Sequence, residues 1–327
     1  MKRRCAALLA LLVLLCGANA LAETPVLLDR LDSFRQAVCE RLADGDLPDA
    51  SWFLARGDAQ TQRRQMADAL ERNSGVILLN PVSPDSVGEL LEMAAAQDVP
   101  VVLFNREPSD LSVLTAYGDR VVYVGSRTEQ AGELQGRAIA QMLAEHPEYD
   151  RNGDGKIQYV MLMGEADNRD AQARTSGCLD ALKALGVAME PVIPVQVCDW
   201  DDWEAQKVIQ HLLIDQTAFE MVISNNDTMA VGALAALNAF GVNLVGGKDY
   251  IPVVGVDATD EAVDLIESGM MTATVRQDAE GIAGAIAKIA LLMQDEGLTA
   301  LEAIARAGYE ADGDMPVVRF DYQTYEP

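Results

Sequence analysis

Histidine, cysteine, aromatic residues and positive charge are all scarce in this sequence, and each scarcity removes a class of function. The 327 residues include 2 histidines, 5 cysteines and 5% aromatics, with 25 Lys and Arg against 51 Asp and Glu. His146 lies beside an acid-rich turn and His211 on a helical pattern with Val208, Leu212 and Leu213. Neither stands at a strand end with a serine or cysteine partner, so a nucleophilic triad has no support and both read as helix-surface residues. Beyond residue 22 the cysteines are Cys39, Cys178 and Cys198, an odd number without metal-ligand or disulfide-framework spacing, which read as small buried hydrophobes. No Gly-x-Gly-x-x-Gly follows the first strand-like run and no phosphate loop occurs, so nucleotide binding lacks its usual glycines. The formal charge of −26 argues against nucleic acid or an anionic membrane as partner, since both need clustered Lys and Arg.

Only one apolar run stands out by length, from Ala6 to Leu15. Lys2, Arg3 and Arg4 precede it and Ala20-Leu21-Ala22 follow, the pattern of a secretory signal peptide cut after Ala22. It is too short for a membrane anchor, and no later run would span a bilayer. The large Leu15 before Cys16 speaks against a lipid-anchored cysteine. The exported chain, about 305 residues, exceeds what one core usually serves and implies two lobes.

Half of the residues are hydrophobic, and they fall into short apolar runs alternating with helical patterns. The clearest unit begins at Val76-Ile77-Leu78-Leu79, turns through Asn80-Pro81-Val82-Ser83-Pro84, and continues as a helix over 85–97 with Val87, Leu90, Leu91 and Ala94 on one face. It returns on the strand 99–104. Strands are also expected at 26–28, 51–54, 121–124, 159–163, 192–197, 221–223, 253–256 and 272–275, with helices at 33–42 and 61–72. Such βαβ repetition predicts an α/β protein with two doubly wound parallel sheets in succession.

The stretch Asp150-Arg-Asn-Gly-Asp-Gly-Lys-Ile-Gln158 has oxygen-bearing side chains at Asp150, Asn152, Asp154 and Gln158, with Gly155 sixth and Lys156 placed to offer its backbone carbonyl. That is calcium-loop spacing, because a hard cation needs roughly 6–8 oxygens and a coiled loop turns alternate side chains inward. The closing glutamate expected at about the twelfth position is absent, since Met161 stands there. An acidic group from elsewhere must complete the shell, and a solvated Asx-rich turn is the alternative. A short apolar run, Gln158 to Met163, follows the loop and reads as a buried strand.

Ligands of doubly wound sheets bind beyond the carboxyl ends of the strands. The polar residues at those ends are Asp32 with Phe34, Asn105, Asp170 with Arg174, Asn225 to Asp227, Asp257, and Gln277 with Asp278. Planar amides, carboxylates and a guanidinium suit paired hydroxyl groups, and aromatic faces suit the apolar side of a sugar ring. Trp200 and Trp203 lie in the acidic stretch Cys198-Asp-Trp-Asp-Asp-Trp203, where ligand stacking and core packing by Trp200 are both open. For each single Asn or Asp, a helix N-cap is the competing role.

These residues resemble the periplasmic galactose/glucose-binding family, the exported receptors of ABC sugar importers. The likeness runs over essentially the whole chain after the leader. It is carried by Val102-Leu-Phe-Asn-Arg-Glu-Pro-Ser109, Asp150 to Gln158, Asp170-Ala-Gln-Ala-Arg-Thr175, Ile223-Ser-Asn-Asn-Asp-Thr-Met-Ala230 and Ile251-Pro-Val-Val-Gly-Val-Asp-Ala258. The resemblance implies a type I periplasmic binding protein: two Rossmann-like lobes, 23–126 plus 279–316 and 127–278 plus 317–327, joined by a three-strand hinge with the sugar in the cleft. It implies a structural calcium completed by Glu220, and sugar contacts at Asp32, Phe34, Asn105, Asp170, Arg174, Trp200, Asn226 and Asp257, with Phe34 and Trp200 sandwiching the ring. Two positions depart from the family: Asn168 replaces a histidine, and Gln277, preceded by Arg276, replaces an asparagine. Both are placed in the sugar set, and they leave open which sugar is taken. Further expectations are a monomer in the periplasm, membrane subunits of the importer and a chemoreceptor as partners, and no catalysis. Two other classes are a secreted glycosidase, for which no carboxylate pair stands out, and the sensor module of a signalling system.

Overall fold

The computed structural model describes residues 24–28, 33–44, 47, 50–72 and 74–325. The leader at 1–22 and Asp32 lie outside them. In chain order the strands are β1 (Pro25–Leu28), β2 (Ser51–Leu54), β3 (Ile77–Leu79), β4 (Val101–Phe104), β5 (Val121–Ser126), β6 (Ile157–Met163), β7 (Met189–Pro191), β8 (Gln196–Val197), β9 (Met221–Ser224), β10 (Val253–Val254), β11 (Val275–Arg276), β12 (Val317–Phe320) and β13 (Gln323–Thr324). The helices are α1 (Ser33–Asp44), α2 (Ala59–Glu71), α3 (Val87–Ala95), α4 (Val113–Ala116), α5 (Thr128–Glu145), α6 (Arg169–Ala184), α7 (Asp202–Ile214), α8 (Asp227–Ala239), α9 (Asp260–Glu267), α10 (Ala279–Asp295) and α11 (Ala300–Ala307).

The chain divides into two compact units. One draws on Met1–Arg30, Ala43–Tyr123 and Ile286–Val317, the other on Leu31–Leu42, Val124–Ala285 and Val318–Pro327. The sheet of the first runs β12-β5-β4-β3-β1-β2, and β1 pairs in parallel with both β2 and β3, as β3 does with β4. Beneath it Leu27, Met66, Leu79, Leu91, Leu103 and Tyr123 share one buried cluster. The stripe of α3 (Val87, Leu90, Leu91, Ala94) is buried as its 3.6-residue spacing requires.

In the second unit the sheet runs β10-β9-β6-β7, with β8 also on β6. Side chains alternate across β6: Val160 and Leu162 enter one core with Val222, while Tyr159 and Met161 enter another with Met221 and Ile223. Helices cover both faces, which is why this strand reads as a continuous apolar run and not as an alternation.

Two expected strands come out differently. Of the run 192–197 only 196–197 is a strand, β8; β7 pairs with β6 just before the run, at 189–191, and Pro194 between them has no N–H to continue a ladder. The run 272–275 contributes only a bridge from Ala273 to Val254 before β11 turns to pair antiparallel with β13. The expected helix over 85–97 begins as a 3-10 turn at Pro84–Ser86, capped by Ser83.

Candidate functional site

The polar strand ends of the second unit converge on one guanidinium. Arg174 lies on α6, and the approach of α5 sets its place: a Cβ on Gly132 would come within 2.5 Å of the Arg174 carbonyl oxygen and 2.8 Å of the Cys178 nitrogen. Glycine is needed there because the two backbones almost touch. Arg174 Nη1 donates to the Asn225 carbonyl at 2.7 Å and to Asp257 Oδ1 at 3.1 Å. Its Nη2 donates to Gln277 Oε1 at 3.2 Å and to the Tyr322 hydroxyl at 2.8 Å. The guanidinium carbon stands 5.7 Å from the centre of the Trp200 ring and 5.6 Å from that of Tyr322. Arg174 is only 5% exposed, and its Nε is buried with no hydrogen-bond partner among the described residues. Burial opposes its charge, yet Tyr322, Asp257 and Asp170 outweigh that penalty and raise its pKa further above the ordinary value. Burial, reinforced by Asp170 and Asp257, pushes the Tyr322 phenol up to about 12 against the pull of Arg174.

Around this centre stand several of the residues expected in the site, some of them already bonded to protein partners. Asp170 accepts from the Thr128 hydroxyl at 2.7 Å. Asn168 is the N-cap of α6 and accepts from the backbone N–H groups of Asp170 and Ala171. Asn226 caps α8, accepting from the Met229 N–H at 3.0 Å. Each of these is also the capping role its residue type favours. Gln277 donates through Nε2 to the Ser126 hydroxyl at 3.0 Å while accepting from Arg174, so its extra methylene spans two partners. Trp200 is largely buried within the core, and its Nε1 donates to Glu165 at 3.2 Å. The indole lies against Gly164, where a Cβ would fall 2.2 Å from the ring. Trp200 therefore packs as core and also faces the arginine.

A cavity of about 170 Å³ opens beside Asp257 and Gln277, lined also by Phe34, Arg41, Arg276 and Asp278. Asn105 belongs to the first unit, in the left-handed region at φ 63, and its carbonyl accepts from the Tyr123 hydroxyl at 2.9 Å. In the same unit the sequence reading passed over Asn80, the first residue after β3. Its backbone is engaged, N–H to the Leu27 carbonyl and carbonyl to Gln62. Both polar atoms of its side chain are nevertheless buried without a partner among the described residues. The available signal was the one used elsewhere, a polar side chain at the carboxyl end of a buried strand.

The loop from Asp150 to Gln158 is coiled by its own side chains. Asp150 accepts from the N–H groups of Gly153, Asp154 and Gly155, Asn152 from Asp154, and Asp154 from Lys156. Glu220, just before β9, reaches the loop from 62 to 69 residues away. Its Oε1 accepts from Arg151 and Asn152 at 2.7 and 3.1 Å, and its Oε2 from Gln158 at 3.1 Å. Among the described residues no three His, Cys, Asp or Glu side chains stand close enough together to hold a metal ion. Asn152 Nδ2 bonds to Gln158 Oε1 and Asp154 Oδ2, linking the oxygens a cation would draw together. The residue types are those a hard cation takes, the carboxylates of Asp150, Asp154 and Glu220 and the amide oxygens of Asn152 and Gln158, but the fold does not gather three of the carboxylates on one point.

His146 and His211 are exposed, and Cys39, Cys178 and Cys198 are buried. Burial pushes the Cys178 and Cys198 thiols up to about 12, so neither is a thiolate at neutral pH.

The family model described as a periplasmic binding protein domain matches residues 32–299. The chain is 34% identical over 220 residues to the D-galactose/methyl-galactoside binding periplasmic protein of Haemophilus influenzae, covering 67% of this chain and 63%, just under two thirds, of that protein. It is 27% identical over 268 residues to the ribose import binding protein of Salmonella typhimurium, 80% of this chain and 81% of the other. Among solved structures, an ABC transporter solute binding protein from Bacillus halodurans with bound myo-inositol superposes with a TM-score of 0.69 at 24% identity, over 94% of this chain and 95% of that one.

Proposed function

Because the chain belongs to the periplasmic binding protein domain family, we propose that it is the exported receptor of an ABC importer for a monosaccharide, galactose or glucose before others. The observation that carries this is Arg174: a buried guanidinium among Asp257, Gln277 and Tyr322, flanked by Trp200 and with one N–H unmatched among the described residues. Such a centre offers a sugar what it needs. Charged forks bond to hydroxyls that both donate and accept, and an indole face covers C–H groups. Nothing in this reading makes or breaks a covalent bond. Asp170, Asp257, Asn226 and Asn168 add acceptors and donors around it, and Asn105 belongs to the set by resemblance. Phe34 offers a second ring surface, and Asp32 belongs to the same set by resemblance alone.

The choice among sugars rests on the run Asp170, Arg174, Trp200, Asn226, Asp257 together with the loop at 150–158. The relatives named for galactose and ribose mark the alternatives. In the same reading the loop holds a structural calcium through Asp150, Asn152, Asp154, Gln158, the Lys156 carbonyl and Glu220. Its role there is to neutralise and tie down the coiled turn.

Isothermal titration of the chain without residues 1–22 against D-galactose, D-glucose, D-ribose and myo-inositol tests the function. Saturable binding of one sugar, recovered unchanged, is expected. A protein that is folded yet binds none of the four overturns the reading, and a sugar returned as cleavage products would favour a glycosidase.

A further inference from the structure

The chain passes from one unit to the other five times, after Arg30, Leu42, Tyr123, Ala285 and Val317. On the approach to or exit from each of the last three, a buried polar side chain belongs to the bonding network of Arg174. Ser126, at the end of β5, accepts through Oγ from Gln277 Nε2 at 3.0 Å. Gln277 stands between β11 and α10, the helix within which the second passage falls, and accepts from Arg174 at 3.2 Å. Tyr322, between β12 and β13, accepts from Arg174 at 2.8 Å, and its own N–H donates to Gln130 Oε1 at 2.9 Å. All four side chains are buried, at 5–8% exposure.

We infer that Ser126, Gln277 and Tyr322 are positioning residues that tie the guanidinium of Arg174 to these three of the five passage segments, so that the state of Arg174 and the conformation of those segments are energetically coupled. A guanidinium is planar and offers its donors in a rigid fork. Both nitrogens at its tip are already engaged, by Asn225 and Asp257 on one and by Gln277 and Tyr322 on the other. A passage segment cannot shift by a fraction of an ångström without lengthening a bond to a buried charge or carrying the arginine with it. The departure at 277 matters here, because asparagine would be a methylene too short to hold Arg174 and Ser126 at once. The consequence for ligand capture rests on the proposed role of Arg174 as a sugar contact. The tie itself does not.

Amide hydrogen exchange by mass spectrometry on the ligand-free full chain tests it. In Arg174→Met, exchange is expected to rise about tenfold or more in peptides covering 123–128, 275–278 and 318–325 alike, although the substitution lies on α6. A rise confined to α6 overturns the proposal. Should that variant fail to fold, Tyr322→Phe removes one hydroxyl and keeps the ring. Faster exchange at 123–128 and around residue 174 then supports the tie, and a change limited to 318–325 refutes it. Sugar titration is read separately: wild-type protein that binds no sugar sinks the proposed function and leaves the exchange result to decide the coupling.

Discussion

Glu220→Ala should loosen the coiled turn at 150–158 even when no cation is present. The carboxylate is 5% exposed and accepts three backbone N–H groups at 2.7, 3.1 and 3.1 Å. Hydrogen bonds to a charged group are worth about 1.5–3 kcal/mol each when the partner is left buried, which would set an upper figure of several kcal/mol. Most of the turn is exposed, however, so the freed N–H groups of Arg151, Asn152 and Gln158 can rotate toward water. The net worth of about 1 kcal/mol per bond is then the better measure, giving a loss of about 3 kcal/mol. For a unit of this size that lowers the melting temperature by roughly 5–10 °C. Thermal melts in chelator, with residue-resolved amide exchange at 151, 152 and 158, measure both quantities. Calcium should raise the melting temperature of the wild type and leave Glu220→Ala unmoved. A loss under about 0.5 kcal/mol, with exchange at those three amides unchanged, would show that Glu220 does not hold the turn.

Three other perturbations follow from named contacts. Asp227 is fully buried, bonded to the Thr274 hydroxyl and the Thr259 N–H, and burial pushes its pKa up to about 7. A carboxyl raised above its unfolded value contributes stability when protonated, so stability from this group falls as pH climbs from about 4 to 7 and is level above that. The change is on the order of 4 kcal/mol. Melts of wild type and Asp227→Asn across that range should differ in slope, and parallel curves would refute the assignment. Gly164→Ala drives a methyl into the Trp200 indole, at 2.2 Å before relaxation. Overpacking of about 1–3 kcal/mol is expected in denaturant melts, together with a changed Trp200 emission. Asn80→Leu replaces a buried amide with no partner among the described residues by an apolar side chain of similar shape, so the protein should gain about 1–3 kcal/mol in denaturant melts. A loss of stability would show that the Asn80 amide is satisfied in the fold.

The sheets were legible wherever burial on both faces produced an unbroken apolar run, as in β3, β4, β6 and β9, because such a run depends on local composition alone. They were less legible where strands are short. The expected strand 192–197 shrinks to 196–197 after Pro194, and the turn of β11 toward β13 depends on a segment near the C-terminus that no local pattern announces. The partnership of Glu220 with the loop could be stated only through a family resemblance, since 62 to 69 residues separate the bonded groups. Tyr322 was missed for the same reason: a tyrosine in Phe320-Asp-Tyr-Gln323 carries no mark of the arginine it meets 148 residues away.

Sequence composition identified the polar strand ends, but the valences those groups already use decide what a ligand can ask of them. Gln277 has both ends of its amide committed to Arg174 and Ser126. The oxygen of Asn168 serves two backbone N–H groups and that of Asn226 serves one, so helix capping holds each in place while occupying its acceptor. A sugar hydroxyl that bonded to these oxygens would have to share them or break a cap worth about 1 kcal/mol. By contrast, Arg174 Nε is buried with nothing to donate to among the described residues. A hydroxyl oxygen arriving there removes a desolvation cost the ligand-free protein already bears, so the first bond to form should be to Arg174 and not to the amides. Arg174→Lys should then lose more affinity than either Asn168→Asp or Gln277→Asn, because an ammonium on a flexible stem cannot hold the fork to Asp257 and Tyr322 while donating a third bond outward. Titration of the three variants with the sugar that binds the wild type ranks them, and a larger loss in Gln277→Asn than in Arg174→Lys would reverse the order argued from the valences.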